Sequence, residues 1–310
     1  MNKTLLTYIL IVGIAAVAGA STGVVLKRTL GPIDEVYPEG FNPKEYMDDA
    51  DELLANYETS TNKPAFIRNS KESDLVNIAL AKYKRCENSF SFGIGDADAG
   101  ITVQSVRSAQ VKRTQQDGSI RYFEEQISAG MIGVAKRSLQ ESGKDEVLVY
   151  TGYPSSAEVA SYADDAHTYT KEGYKEYLGK TLDEMFIYII SKKTTLKSSR
   201  STLDNGDLEI KLSLDTNIAT YFYKAQMQHI SGLSNLPPFE DVNLTYTLSD
   251  DLVLKHMFVD ETYTATKEGI PVPAKTHNII DNYYHAGEQM EIPPYNENIN
   301  YSALLALEEN

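Results

Sequence analysis

Five histidines, a single cysteine and several dense acidic runs are the residues of this chain whose types could do chemistry. His256 and His277 fall on neighbouring predicted strands, with His285 shortly after, so a shared face for an acid–base or metal pair is geometrically open. No nucleophile or third ligand is placed beside them, and no HExxH, GxSxG, P-loop or kinase-type set occurs. Asp164, Asp165 and His167 stand close together, but a metal centre needs further ligands; a histidine beside two acids reads as an exposed hydrogen-bonding group. Asp48, Asp49, Asp51 and Glu52 alternate with apolar residues at helical spacing and read as a solvated helix face. The run GIGDADAG (residues 93–100) lacks the lysine of a P-loop and the third glycine of a dinucleotide fingerprint, and reads as an acidic turn. Cys86 ends a predicted helix and reads as a small packing residue rather than a nucleophile. The chain is therefore expected to be non-catalytic, with no cofactor and no metal assigned.

The elements that would position these residues begin with an anchor. Leu5 to Leu26 holds twenty-two residues without a charge, between Lys3 and Lys27–Arg28. As a helix it would span roughly 33 Å, enough for a bilayer core. A cleaved secretory signal is the alternative, since Ala18-Gly19-Ala20 has the small-x-small form of a cleavage site. The apolar run continues through Val24-Val25-Leu26, which favours the uncleaved anchor. Basic residues flank both ends, so charge fixes the orientation only weakly. All 44 acidic residues follow position 28, against 26 of the 29 bases, leaving the body a net charge of −18. Such a surface repels phosphate backbones, so nucleic acid is excluded as a partner. One cysteine excludes an intramolecular disulfide.

Residues 29–41 read as a linker. A helix is predicted from Asn42, capped by that residue with Pro43 and Glu45 behind it, through Tyr57. A loop around Pro64 and a second helix from Ser73 to Cys86 follow. Strands are then predicted from Ser89, with Ile101–Gln116 and Ser119–Ser128 joined at Asp117-Gly118, and with Met131–Leu139 and Glu146–Tyr150 beyond. Short helices are predicted at Ser156–Ala166 and Thr170–Leu178. Met185 to Ile190 is a buried run of either type. Asp204-Asn205-Gly206 marks a hairpin between Thr194–Leu203 and Asp207–Leu214, followed by a helix from Asp215 or Thr216 to Ile230 carrying His229. Three more antiparallel strands close the chain at Val242–Leu248, Leu252–Ala265 and Val272–Tyr284.

The stretch VNLTYTLSDDLVLKHMFVDETYTATKEGIPVPAKTHNIIDNYY, with EQMEIP after it, resembles the terminal strands of LolA-like and LppX-like envelope lipid carriers. The resemblance covers residues 43–294 in element order and has no diagnostic residue motif. It implies an α+β fold in which a curved, mostly antiparallel, half-barrel-like sheet packs with helices after the transmembrane segment. It also implies an extracytoplasmic body that binds a lipid or other hydrophobic ligand in a sheet–helix cavity. The expected lining is Leu208, Ile210 and Leu212 from a strand, with Ile218, Phe222 and Ala225 from a helix. The chain departs from those lipoproteins in having no lipidation cysteine, and a tether through Leu5–Leu26 would take its place. The other open reading is an envelope protein-interaction module with a fully packed interior. The expected organisation is an anchor over 1–28, a linker over 29–41, one domain over 42–294 and a tail over 295–310.

Overall fold

The structure is a computed structural model that describes residues 40–98, 103–114, 117–130, 134–156, 159–162, 166–178, 182, 188–224, 239–267 and 270–284. A 3-10 turn at Pro43–Tyr46 precedes α1 (Ala50–Thr59), α2 (Lys63–Asn69) and α3 (Glu72–Arg85). The helix expected from Asn42 is thus two pieces. Asp49 supplies a second cap, its carboxylate accepting from the backbone N–H groups of Asp51 and Glu52, and so starts α1 afresh. The loop expected around Pro64 is α2, because Asn62 accepts from Ala65 N–H and Pro64 sits in the first turn, where its missing donor costs nothing. Ser73 does not cap α3 but lies buried inside it.

Strands β1 (Ser89–Asp98), β2 (Val103–Thr114), β3 (Ile120–Ala129), β4 (Val134–Glu141) and β5 (Val147–Pro154) form a meander. Two three-residue strands, β6 (Ala160–Tyr162) and β7 (His167–Tyr169), pair with β5. They replace the helix expected at Ser156–Ala166, since the free edge of β5 offers ladder partners to both. Gly93 to Asp98, expected as an acidic turn, is strand: it pairs with β2 on one side and β12 (Ile270–Tyr284) on the other. After α4 (Lys171–Leu178), the second half runs through β8 (Thr195–Thr202), β9 (Leu208–Leu214), α5 (Thr216–Ala219), β10 (Phe239–Leu248), β11 (Leu254–Lys267) and β12.

All twelve strands belong to one sheet, ordered β6-β5-β4-β3-β2-β1-β12-β11-β10-β9-β8 with β7 also on β5, and every pairing is antiparallel. The β1–β12 pair joins the two halves, aligning Ser89 with Tyr284 and Asp98 with Lys275. Helices α1–α3 cover β8–β11. Leu54, Tyr57, Leu75, Ile78 and Ala79 meet Ile210, Leu212, Leu244, Tyr246 and Val259 in the main core.

Directly paired residues share a face, so the register follows one side across the whole sheet. On β9–β11 the side facing α3 is apolar. Continued across β12 and β1, the same side on β2–β4 carries Ser108, Glu124, Gln126, Lys136 and Ser138, all buried. There Val106 is the one buried apolar residue on this side among those described, and Ala109, Val111, Phe123, Ile127 and Ala135 lie on the opposite side. The sheet's apolar face changes sides between its halves.

Candidate functional site

The helix-bearing side of β2–β4 is a buried polar surface. Gln110 Nε2 donates to Glu124 Oε2 at 2.8 Å across β2 and β3. From α4, the Tyr174 hydroxyl donates to Ser138 Oγ at 3.1 Å and accepts from Lys136 Nζ at 3.3 Å. The Lys136 ammonium also lies 5.2 Å from the Tyr174 ring centre, a cation–π distance. Helix α4 is held over the sheet by Val147, Val149 and Leu182, which pack round Tyr174. Its start is fixed by Thr170 Oγ1, which accepts from Gly173 N–H.

Gln126 stands in the middle of this surface, paired with Ser108 on one side and Lys136 on the other. It is 1% exposed, and neither its Nε2 nor its Oε1 has a hydrogen-bond partner. An unmade bond of this kind costs about 1–3 kcal/mol, so a buried amide with both ends free is an anomaly that a bound group would relieve. Nearby, between the end of α3 and β1–β3, a cavity of about 70 Å³ is lined by Tyr83, Ser89, Gln110, Lys112, Tyr122 and Leu182. At roughly 10–15 Å³ per water by this measure it holds a few waters, not a lipid.

The residues expected to line a ligand cavity lie in the other half. Ile210 and Leu212 are 0% and 2% exposed within the main core, with Leu208 packed at its margin. Ile218 and Phe222 are half-buried, and Ala225 lies outside the described residues. His256 and His277 do share a face, but the Phe258 ring stands between them, at 5.3 Å from His256 and 4.8 Å from His277. His277 Nδ1 lies 2.6 Å from Asp260 Oδ1, both side chains more than half exposed. His229, His285, Asp164 and Asp165 lie outside the described residues; His167 is exposed on β7. Among the described residues no group of three histidine, cysteine or acidic side chains could hold a metal. Asp49 serves as a helix cap and Asp51 pairs with Arg85 at 2.9 Å. Cys86 is half-buried; burial raises its thiol pKa, and Sγ donates to Tyr83 O at 3.0 Å. No helix among the described residues is long and apolar enough to cross a membrane, and Leu5–Leu26 lies outside them.

Sequence reasoning missed the polar surface. Its signal was partial: Glu124, Gln126 and Ser128 recur at every second position, but Glu125 breaks the apolar set of Phe123 and Ile127 between them. What assigns those residues to the helix-bearing side is the β1–β12 pairing, which no local pattern announces.

No family model matches the chain, and no curated protein does. Among solved structures the chain is similar in fold to LprF from Mycobacterium bovis, at 12% identity and a TM-score of 0.36, covering 72% of this chain and 96% of that one. It is also similar to a DUF1329 family protein from Desulfovibrio piger, at 10% identity and a TM-score of 0.26, covering 70% and 93%. A third is a putative outer membrane lipoprotein-sorting protein domain from Vibrio parahaemolyticus, at 8% identity and a TM-score of 0.24, covering 71% and 95%. The resemblance in element order is met at the level of fold.

Proposed function

We propose that the protein is a non-catalytic, membrane-tethered binding module whose body lies outside the cytoplasmic membrane and holds an amphiphilic ligand on the helix-bearing side of its sheet. The observation that carries this is Gln126, a buried carboxamide with its donor and its acceptor both unpartnered, beside Lys136 and the Tyr174 hydroxyl. A ligand offering both an acceptor and a donor would complete that surface with at least two hydrogen bonds. Its apolar part would lie toward Leu208, Ile210, Leu212, Ile218, Phe222 and Ala225. Because α3 already covers Ile210 and Leu212, this requires the helical layer to part from β9 on binding. The tether rests on the uncharged run Leu5–Leu26. Native mass spectrometry on the full chain in an uncharged detergent, with lipid extraction, tests the reading. A co-purifying amphiphile that is lost in Gln126→Leu supports it, and equal ligand in both proteins overturns it.

The second reading, a protein-interaction module, is favoured by β8. It is an edge strand of eight residues, and Leu196 at its start is 66% exposed. An open edge of this length can take an added strand from a partner.

A further inference from the structure

Glu261 is the most isolated ionisable group among the described residues of the core. It lies on the helix-bearing side of β11, between Met257 and Val259 before it and Tyr263 after it, and is 1% exposed. Neither carboxyl oxygen has a hydrogen-bond partner. Its direct neighbour on β12 is Thr276, 4% exposed, whose side chain also interacts with the Tyr263 hydroxyl. Its neighbour on β10 is Val242, which offers no polar group. Side chains at such paired positions start about 5 Å apart at Cβ, which puts the Thr276 side chain beside the carboxyl group. A buried carboxyl with neither oxygen hydrogen-bonded is incomplete.

The rest of the surroundings select the missing group. The rings of Tyr223, Phe239 and Tyr263 form a chain with centroids 5.2 Å and 5.5 Å apart. Aromatic faces attract cations and do nothing for anions. Lys224 Nζ already lies 5.9 Å from the Phe239 ring centre, so this cluster accommodates an ammonium. The chain's net charge of −15 raises the local concentration of cations further.

We propose that Glu261 and Thr276, with the Tyr223–Phe239–Tyr263 rings, form a subsite for an ammonium group. The carboxylate supplies the counter-charge and the hydroxyl an acceptor, while the rings take the ammonium's methyl or methylene groups. Binding is coupled to protonation. Burial raises the free carboxyl's pKa to about 8, so an arriving ammonium displaces the carboxyl proton to solvent and the site's net charge is conserved. The described titratable side chains at these rings are those of Tyr223, Tyr263 and Lys224. Burial drives the Tyr223 and Tyr263 hydroxyls upward, Tyr263 also feeling the Glu261 charge, while burial lowers the Lys224 ammonium. This site involves neither Gln126 nor Lys136, so its failure and the failure of the reading above are distinguishable.

The test is calorimetric titration of the full chain, in maltoside micelles, with choline chloride. Its uncharged isostere 3,3-dimethylbutan-1-ol and glycerophosphocholine are run beside it. The expected result is choline binding that tightens on the order of tenfold from about pH 6.5 to about pH 8.5, as the carboxyl fraction ionised rises. The isostere does not bind. Glu261→Gln loses the binding and Thr276→Val weakens it. Glycerophosphocholine binding more tightly than choline assigns the ammonium to a lipid headgroup; the reverse assigns a free amine. Binding of choline that is independent of pH, equal binding of the isostere, or no binding of choline or glycerophosphocholine at either pH overturns the proposal. The pH profile of the unsubstituted chain decides the matter even where Glu261→Gln fails to fold.

Discussion

The Tyr57 hydroxyl donates to the Asp251 carboxylate at 2.6 Å, joining α1 to the β10–β11 turn across 194 positions of sequence. Lys63 from α2 and Lys82 from α3 reach the same carboxylate at 3.3 Å and 3.2 Å. Both ammonium groups also lie within 4.9 Å of the Tyr57 ring centre. One residue of a turn thereby ties all three helices to the sheet. Leu252, the next residue, takes a left-handed backbone with φ of 58° to seat its side chain in the core.

Asp251→Asn is expected to destabilise the fold by about 1 kcal/mol, because the carboxylate is about half exposed and its partners keep water as an alternative. The pH dependence has a definite sign. The Tyr57 hydrogen bond, then those from Lys82 and Lys63, lower the Asp251 pKa to about 2. A depressed acid stabilises the fold above its unfolded value and loses that contribution as pH falls through its folded one. Thermal melts between about pH 5 and pH 2 should show the variant losing less stability than the parent.

Glu261 acts in the opposite direction. Burial raises its pKa from 4.5 to about 8, so the folded state holds this proton more tightly than the unfolded chain does. Stability from this group is therefore fully present below about pH 4.5, declines as pH rises toward about 8 and then levels off. Chemical denaturation of Glu261→Gln across that window should lack this decline. A parent and a variant with the same slope would contradict it.

On the other side of the sheet, Arg137 Nε donates to Glu125 Oε2, both side chains 1% exposed. The Tyr162 ring lies 4.1 Å from the guanidinium. Arg137→Met alone leaves Glu125 buried with its partner removed and should cost about 3–5 kcal/mol. The double substitution Arg137→Met with Glu125→Met should recover most of that, since two well-packed apolar groups replace the pair at little net cost. A double-mutant cycle by urea unfolding reads the coupling directly.

Gly152 is required by contact rather than by backbone angle. A Cβ there would meet the Ser161 carbonyl oxygen at 2.0 Å, a backbone atom that cannot turn away. Gly152→Ala is expected to detach β6 from β5. Hydrogen exchange should then show amides of residues 160–162 losing protection while those of β3 and β4 keep theirs.

Much of the fold was legible because its hairpins are local. Asp204-Asn205-Gly206 turns β8 into β9, and Gly206 has the φ of +89° that such a turn needs. Leu208, Ile210, Leu212 and Leu214 alternate as a half-buried strand must. The β1–β12 pair was not legible, since Ser89 meets Tyr284 through register alone, with most of the chain between them. Everything about sidedness follows from that pair. Residues such as Gln126, Lys136 and Ser138 look like a solvated face in sequence, and only the join between halves, with α4 above them, makes them interior. Tyr57 was visible as the end of a predicted helix and Asp251 only as a residue between two predicted strands; nothing in either stretch links them.

The most direct test of the central claim is native mass spectrometry of the full chain beside Gln126→Leu, each released from an uncharged detergent and then extracted with organic solvent. The account predicts an amphiphilic adduct on the parent, recovered in the extract, and its loss from a variant that melts at or above the parent's temperature. An unliganded parent at saturating added amphiphile, or an adduct retained in full by the variant, would contradict it.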